Sequence, residues 1–228
     1  MESSEKAHQF YTALLAHDIS NFNQTTRGYL EMLLAEQMGS LSEEQNRVLT
    51  TCLRQCRRIQ SLVDAIRLLE RLESEAPKIE PVELDAAIKT AVVMAQQEFS
   101  EQDIRVRFTP ARRVVLAEPT LQDVVRQLIG NAARHNNAEV VEVELELEQV
   151  DGDPPMWRMM VRDNGDGVPT AKREYIFTRL ESGRVHGSGV GLSLAAILVK
   201  RWSGRLWLED TPSGQGAVFG LELPAKVA

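Results

Sequence analysis

The chain has 228 residues, 43% of them apolar and 26% charged, and its 33 acidic and 26 basic side chains leave a formal charge of −7. That length accommodates one large domain or two modest ones, each with its own core. With no basic run beyond Arg57-Arg58 or Arg112-Arg113, no apolar run near the ~20 residues of a membrane span and a polar start, MESSEKAHQ, unlike a signal peptide, the composition argues against a nucleic-acid surface, direct membrane contact and export; a cytoplasmic setting is expected.

From about Ser4 to Ser74 the pattern is helical. Leu15, Ile19, Phe22, Tyr29 and Leu33 recur at fours and threes as one apolar stripe, expected to face a core. At about 100° per residue, His17 lies about 200° from Leu15 and about 160° from Ile19, so its imidazole is predicted to be wet. Asn21, Gln24 and Gly28 continue that polar face. A histidine so placed is by itself an ordinary surface residue.

The break at Gly39-Ser40-Leu41-Ser42 predicts a short loop, with Ser42 as N-cap of a second long helix. That helix repeats a seven-residue rhythm through Val48, Cys52, Ile59, Leu62, Ile66 and Leu69, widened by Leu49, Leu53, Cys56 and Val63. Cys52 and Cys56, one turn apart without a metal-binding neighbour, read as small core residues. Two such helices carry more apolar surface than one hairpin covers, which predicts a four-helix bundle made by a homodimer.

Pro77 and Pro81 mark a change of pattern, so the expected domains are residues 1–75 and 76–228. A helix over 83–100, strands at Ile104–Phe108 and Val114–Ala117 and a helix over 119–135 follow. The helix segment RQLIGNAARHNN puts Gln127 and Asn131 on one face. An amide oxygen there can ligate magnesium, and Arg134 or His135 can meet phosphate oxygens.

Val141, Val143, Leu145 and Leu147 alternate with glutamates, a half-buried strand. On the returning strand Trp157, Met159, Val161 and Asp163 share parity, which turns a carboxylate toward the core. That position is costly unless a donor meets it. Gly165 and Gly167 in DNGDGVP keep the mouth beside it open, and an amino group on a flat heterocycle suits it. Gly187, Gly189 and Gly191 then precede an apolar helix, where backbone N–H groups can point at an anion. A terminal hairpin is expected from Leu206–Leu208 and Phe219–Leu223.

Taken in order, AHDISN, GNAARHN, DNGDGVP, YIFTRL and GSGVGLSLA resemble the H, N, G1, F and G2 boxes of the sensor histidine kinases of two-component signalling. The resemblance covers nearly the whole chain. It implies an α+β architecture: an N-terminal hairpin forming a dimeric four-helix bundle, then an α/β sandwich that binds ATP. It implies that His17 accepts the γ-phosphoryl group, that Asp18 makes its nitrogen nucleophilic, and that Asn21 orients a water for removing phosphate from a response regulator. It makes Asn131 the magnesium ligand and Asp163 the acceptor for the adenine amino group. Arg134, His135, Gly165, Gly167 and the run Gly187, Ser188, Gly189, Val190, Gly191, Leu192 complete the expected nucleotide site. ATP and Mg2+ are the implied cofactors, and a receiver domain of a response regulator the implied partner.

Departures from the family pattern are Phe22 in place of the proline after the H box, Gln127 and Arg134 in the N box, and Leu180 at the end of the F box. Arg179 or Arg184 is the expected lid cation. Gln127 stands where the related ATPases carry a catalytic glutamate, and an amide cannot act as a base; that favours phosphoryl transfer over an ATP-driven clamp. The competing reading is a non-catalytic phosphorelay or scaffold dimer with a degenerate ATP domain.

Overall fold

A computed structural model describes residues 2–177, 190–212 and 215–227, which divide into two compact units: residues 2–76 with 190–191, and residues 77–177 with 192–212 and 215–227. The first is a helical hairpin of α1 (Glu2–Leu34) and α2 (Glu43–Ser74). The turn between them uses left-handed backbone at Glu36 and Gly39, with φ of 54° and 115°. Ser42 caps α2 reciprocally: its hydroxyl accepts from the Gln45 N–H at 3.2 Å, and Gln45 Oε1 accepts from the Ser42 N–H at 2.8 Å.

The seam between the two helices differs from the expected stripe. It is formed by Ala16, Ser20, Asn23 and Arg27 against Leu53, Cys56, Gln60 and Val63, all buried or half-buried. Asn23 Nδ2 donates to the Cys56 carbonyl at 2.8 Å, and Arg67 Nη2 to the Ala16 carbonyl at 3.3 Å, so the helices run antiparallel. Leu15, Ile19, Phe22 and Tyr29 are exposed within the chain, Phe22 by 74%, as are Val48, Ile59 and Ile66. Cys56 is buried in the seam, but Cys52 is exposed with the stripe, contrary to its reading as a core residue.

Leu15, Ile19 and Phe22 of α1 and Cys52 and Ile59 of α2 each come one position before a seam residue, so the stripe is rotated about 100° from the seam in the same sense on both helices. Because the helices are antiparallel, equal rotations bring both stripes to the same flank of the hairpin. The opposite flank carries His17, Asn21 and Gln24 from α1, and Arg54, Arg57, Ser61 and Asp64 from α2.

The second unit begins with β1 (Glu80–Glu83), which pairs antiparallel with β3 (Val114–Ala117). Sequence patterning missed β1, since its four residues contain Pro81, which a strand tolerates only at an edge. Between them lie α3 (Leu84–Glu98) and β2 (Asp103–Phe108), and α4 (Leu121–Arg134) follows. The main sheet adds β4 (Val140–Val150), β5 (Met156–Asp163), β6 (Arg205–Leu208) and β7 (Val218–Pro224) in the order β2-β4-β5-β7-β6. Only β2 and β4 are parallel, so the sheet is mixed.

Ile88, Ala91 and Ala95 of α3, Val124, Leu128 and Ile129 of α4, and Val143, Val161, Phe219 and Leu221 of the sheet are all buried. This is the two-layer α/β arrangement expected. The short helix α5 (Thr170–Arg173) and α6 (Val190–Arg201) complete the described elements, and Trp202 beyond α6 is buried with its Nε1 donating to Glu118 at 2.9 Å. No described helix is long and apolar enough to cross a membrane.

Candidate functional site

His17 stands on the polar flank of α1 with 64% of its side chain exposed. Its Nδ1 lies 3.1 Å from Asp18 Oδ1. With Nδ1 carrying the proton donated to that carboxylate, Nε2 presents its lone pair to solvent. Asn21, one turn on, holds its Nδ2 at 3.4 Å from both ring nitrogens, a long contact that sets an amide beside the ring without sequestering it. Such an imidazole can act as a nucleophile without a separate base, because its neutral form already holds the attacking lone pair.

In the second unit, the β4–β5 register sets Asp163 opposite Val143 and on the core side of the sheet. Its Oδ1 accepts from the Gly165 N–H at 2.9 Å and from the Ala217 N–H at 3.0 Å. The Asp163 N–H in turn donates to the Ala217 carbonyl at 3.0 Å. Among the described residues no hydrogen bond reaches Oδ2. Half of the carboxylate is thus fixed by backbone and half is available to a donor, the arrangement an aromatic amine needs for orientation.

Two glycines are required around this carboxylate. Gly216 has a φ of +75°, and a Cβ there would stand 1.8 Å from the Asp163 carbonyl oxygen. Gly167, at φ +78°, passes close enough that a Cβ would lie 2.9 Å from the Gly216 carbonyl. Any side chain at Gly216 would push the 216–217 backbone off Asp163.

The end of α4 is stitched to the loop after β5. Asn136 Nδ2 donates to Asn164 Oδ1 at 2.6 Å, Asn137 Nδ2 to Asp166 at 3.3 Å, and Asn164 Nδ2 to the Val140 carbonyl at 3.0 Å. This brings His135, whose carbonyl oxygen would sit 3.3 Å from a Cβ on Gly165, beside the Asp163 loop. Asn131 is half-buried one turn earlier in α4, and its amide makes no hydrogen bond among the described residues. A free amide oxygen of this kind fits one ligand position of a magnesium ion whose other ligands are water and phosphate.

Arg134, at the end of α4, is engaged by the end of α3. Its Nη2 donates to Glu98 at 3.2 Å and its guanidinium lies 5.3 Å from the centroid of the Phe99 ring, so it anchors the end of α3 on α4. Of the glycine run, Val190, Gly191 and Leu192 belong to α6, with Val190 buried. Gly187, Ser188 and Gly189 lie outside the described residues, as do Arg179 and Arg184.

Sequence patterning missed Asn136, Asn164, Gly216 and Ala217. The asparagines were visible in RHNN and DNGDG but carry no periodic signal, and the contact of Ala217 with Asp163 spans 54 residues.

Two family models match successive parts of the chain. The model for the His Kinase A (phospho-acceptor) domain matches residues 10–75, and that for the "Histidine kinase-, DNA gyrase B-, and HSP90-like ATPase" matches residues 117–227. Cyanobacterial phytochrome A of a Nostoc species is 23% identical over 98% of this chain and 29% of its own length. Sensor histidine kinase GlrK of Escherichia coli K12 is 30% identical over 96% of this chain and 46% of its own. The chain therefore spans less than half the length of these relatives. The structure of full-length ShkA in complex with AMPPNP superposes with a TM-score of 0.61 at 24% identity, over 96% of this chain and 46% of that one, a likeness of fold.

Proposed function

Because the chain belongs to the histidine kinase family, with a phospho-acceptor hairpin ahead of an ATPase-type domain, we propose that it transfers the γ-phosphoryl group of ATP to His17 and then to an aspartate of a response regulator. Residues 1–75 serve as dimerisation and phospho-acceptor domain and residues 76–228 as the ATP-binding domain. The observation that carries this reading is the exposed His17 ring with Nδ1 held by Asp18.

In the transfer, the Nε2 lone pair forms the N–P bond while the bond from the γ-phosphorus to the bridging oxygen breaks, and ADP leaves with that electron pair. The ring becomes cationic as the bond forms. Asp18 stabilises that charge and holds the Nδ1 proton until it is lost to solvent. Asp163 orients the adenine through its open oxygen. Asn131 would hold magnesium, which when bound neutralises charge on the phosphate oxygens. Gln127, half-buried one turn before Asn131, offers no base for water, which favours the histidine as acceptor.

We further propose that two copies associate through the apolar flank of the hairpin, leaving the polar flank with His17 and Asn21 to the ATP-binding domain and the receiver domain. In this reading Asn21 orients a water for dephosphorylating the regulator.

Incubation with γ-labelled ATP tests the central step. Label is expected on the chain as an acid-labile, base-stable adduct, and His17→Gln is expected to remove it entirely. Label persisting in that variant would exclude His17, and nucleotide binding with no label in the native chain would favour a scaffold dimer.

A further inference from the structure

Arg173 lies outside the motifs that carry the family likeness, yet it joins the segment after the Asp163 loop to the connection between β6 and β7. Only 21% of its side chain is exposed. Nε donates to the Val168 carbonyl at 2.9 Å and Nη2 to the Thr211 carbonyl at 2.8 Å, while Nη1 pairs with Asp210. The guanidinium thus spends its fork on two backbone carbonyls and one exposed carboxylate.

What Arg173 holds matters because of what comes next in the chain. Thr211 Oγ1 donates to the Gly216 carbonyl at 3.1 Å, and Gly216 is wedged between Asp163 and Gly167. The next residue, Ala217, supplies one of the two N–H groups on Asp163 Oδ1, at 3.0 Å. A continuous hydrogen-bonded path therefore runs from Arg173 through Thr211 and Gly216 to the carboxylate.

We infer that Arg173 is a positioning residue for nucleotide recognition: by fixing Asp210 and Thr211, and through Thr211 the Gly216 carbonyl, it holds the Ala217 N–H on Asp163 and so orients the free carboxylate oxygen toward the base. This rests on the reading of Asp163 as the adenine acceptor. It also assigns a base-directed role to an arginine within the segment between Pro169 and Gly187, the expected lid, where a phosphate contact would otherwise be assumed.

Calorimetric titration of the full chain with ADP and with ATP separates these roles. Arg173→Ala is expected to weaken both nucleotides equally, by about tenfold, the scale of one charge-assisted hydrogen bond. The loss should be non-additive: Arg173→Ala introduced into Asp163→Asn should cost less than about twofold more. Unchanged affinity in Arg173→Ala, or a loss confined to ATP, would overturn the inference, the latter marking a contact with the γ-phosphate. Should Asp163→Asn bind ADP as the native chain does, the adenine reading itself fails, whatever Arg173 does. If circular dichroism shows Arg173→Ala unfolded, Thr211→Val interrupts the same path one link on. It is expected to give an equal loss for ADP and ATP of about threefold, and native affinity there would equally overturn the inference.

Discussion

At the residue scale, the decisive feature is direction. His17 and Asn21 are neighbours on one polar flank, and counting at about 100° per residue was sufficient to foresee it. Asn21 lies 3.4 Å from the ring but is not bonded tightly to it, so its proposed role is in a later step than attack. Asn21→Ala is expected to leave autophosphorylation within about twofold of native while slowing dephosphorylation of the regulator by about tenfold or more, the scale of a lost positioning contact. Timed loss of label from phosphorylated receiver domain measures it, and an unchanged rate would refute the role. Asp163 was equally legible, through strand parity and the cost of an inward carboxylate. The partners of Arg134 were not, because Glu98 and Phe99 stand at the end of another helix.

At the element scale, caps and turns were better foreseen than pairings. Ser42 was recognisable as the N-cap of α2, and its reciprocal bonds with Gln45 depend only on residues three apart. Ser42→Ala should cost the hairpin about 1 kcal/mol, read as a lower thermal midpoint by circular dichroism at fixed protein concentration. A midpoint unchanged within error would mean that the first turn of α2 is held by something other than its cap. The seam within the chain was not legible, for a physical reason. Periodicity finds the most apolar stripe of a helix, but the contact within this chain uses a neighbouring stripe of small and polar residues, in which the Asn23 amide meets the Cys56 carbonyl.

At the scale of the whole molecule, the stripe left uncovered within the chain is an argument for association. An apolar flank contributed by both helices, with Phe22 exposed by 74%, is unusual on a surface meant for water. Covering one large side chain is worth about 1.5–3 kcal/mol, and a two-fold interface counts it twice. The native chain is expected to sediment as a dimer at micromolar concentration, and Phe22→Glu as a folded monomer; a native monomer would refute the dimer. The chain's sequence alone determined which chemical groups it carries, their order, and the face each takes within its own helix or strand, because the periods of 3.6 and 2 belong to the local backbone. Only the tertiary structure decided which faces meet. Asn23 on Cys56, Arg134 on Glu98 and Arg173 on Asp210 join residues 33, 36 and 37 apart, and such contacts depend on how whole elements come to rest against one another, which no local pattern encodes.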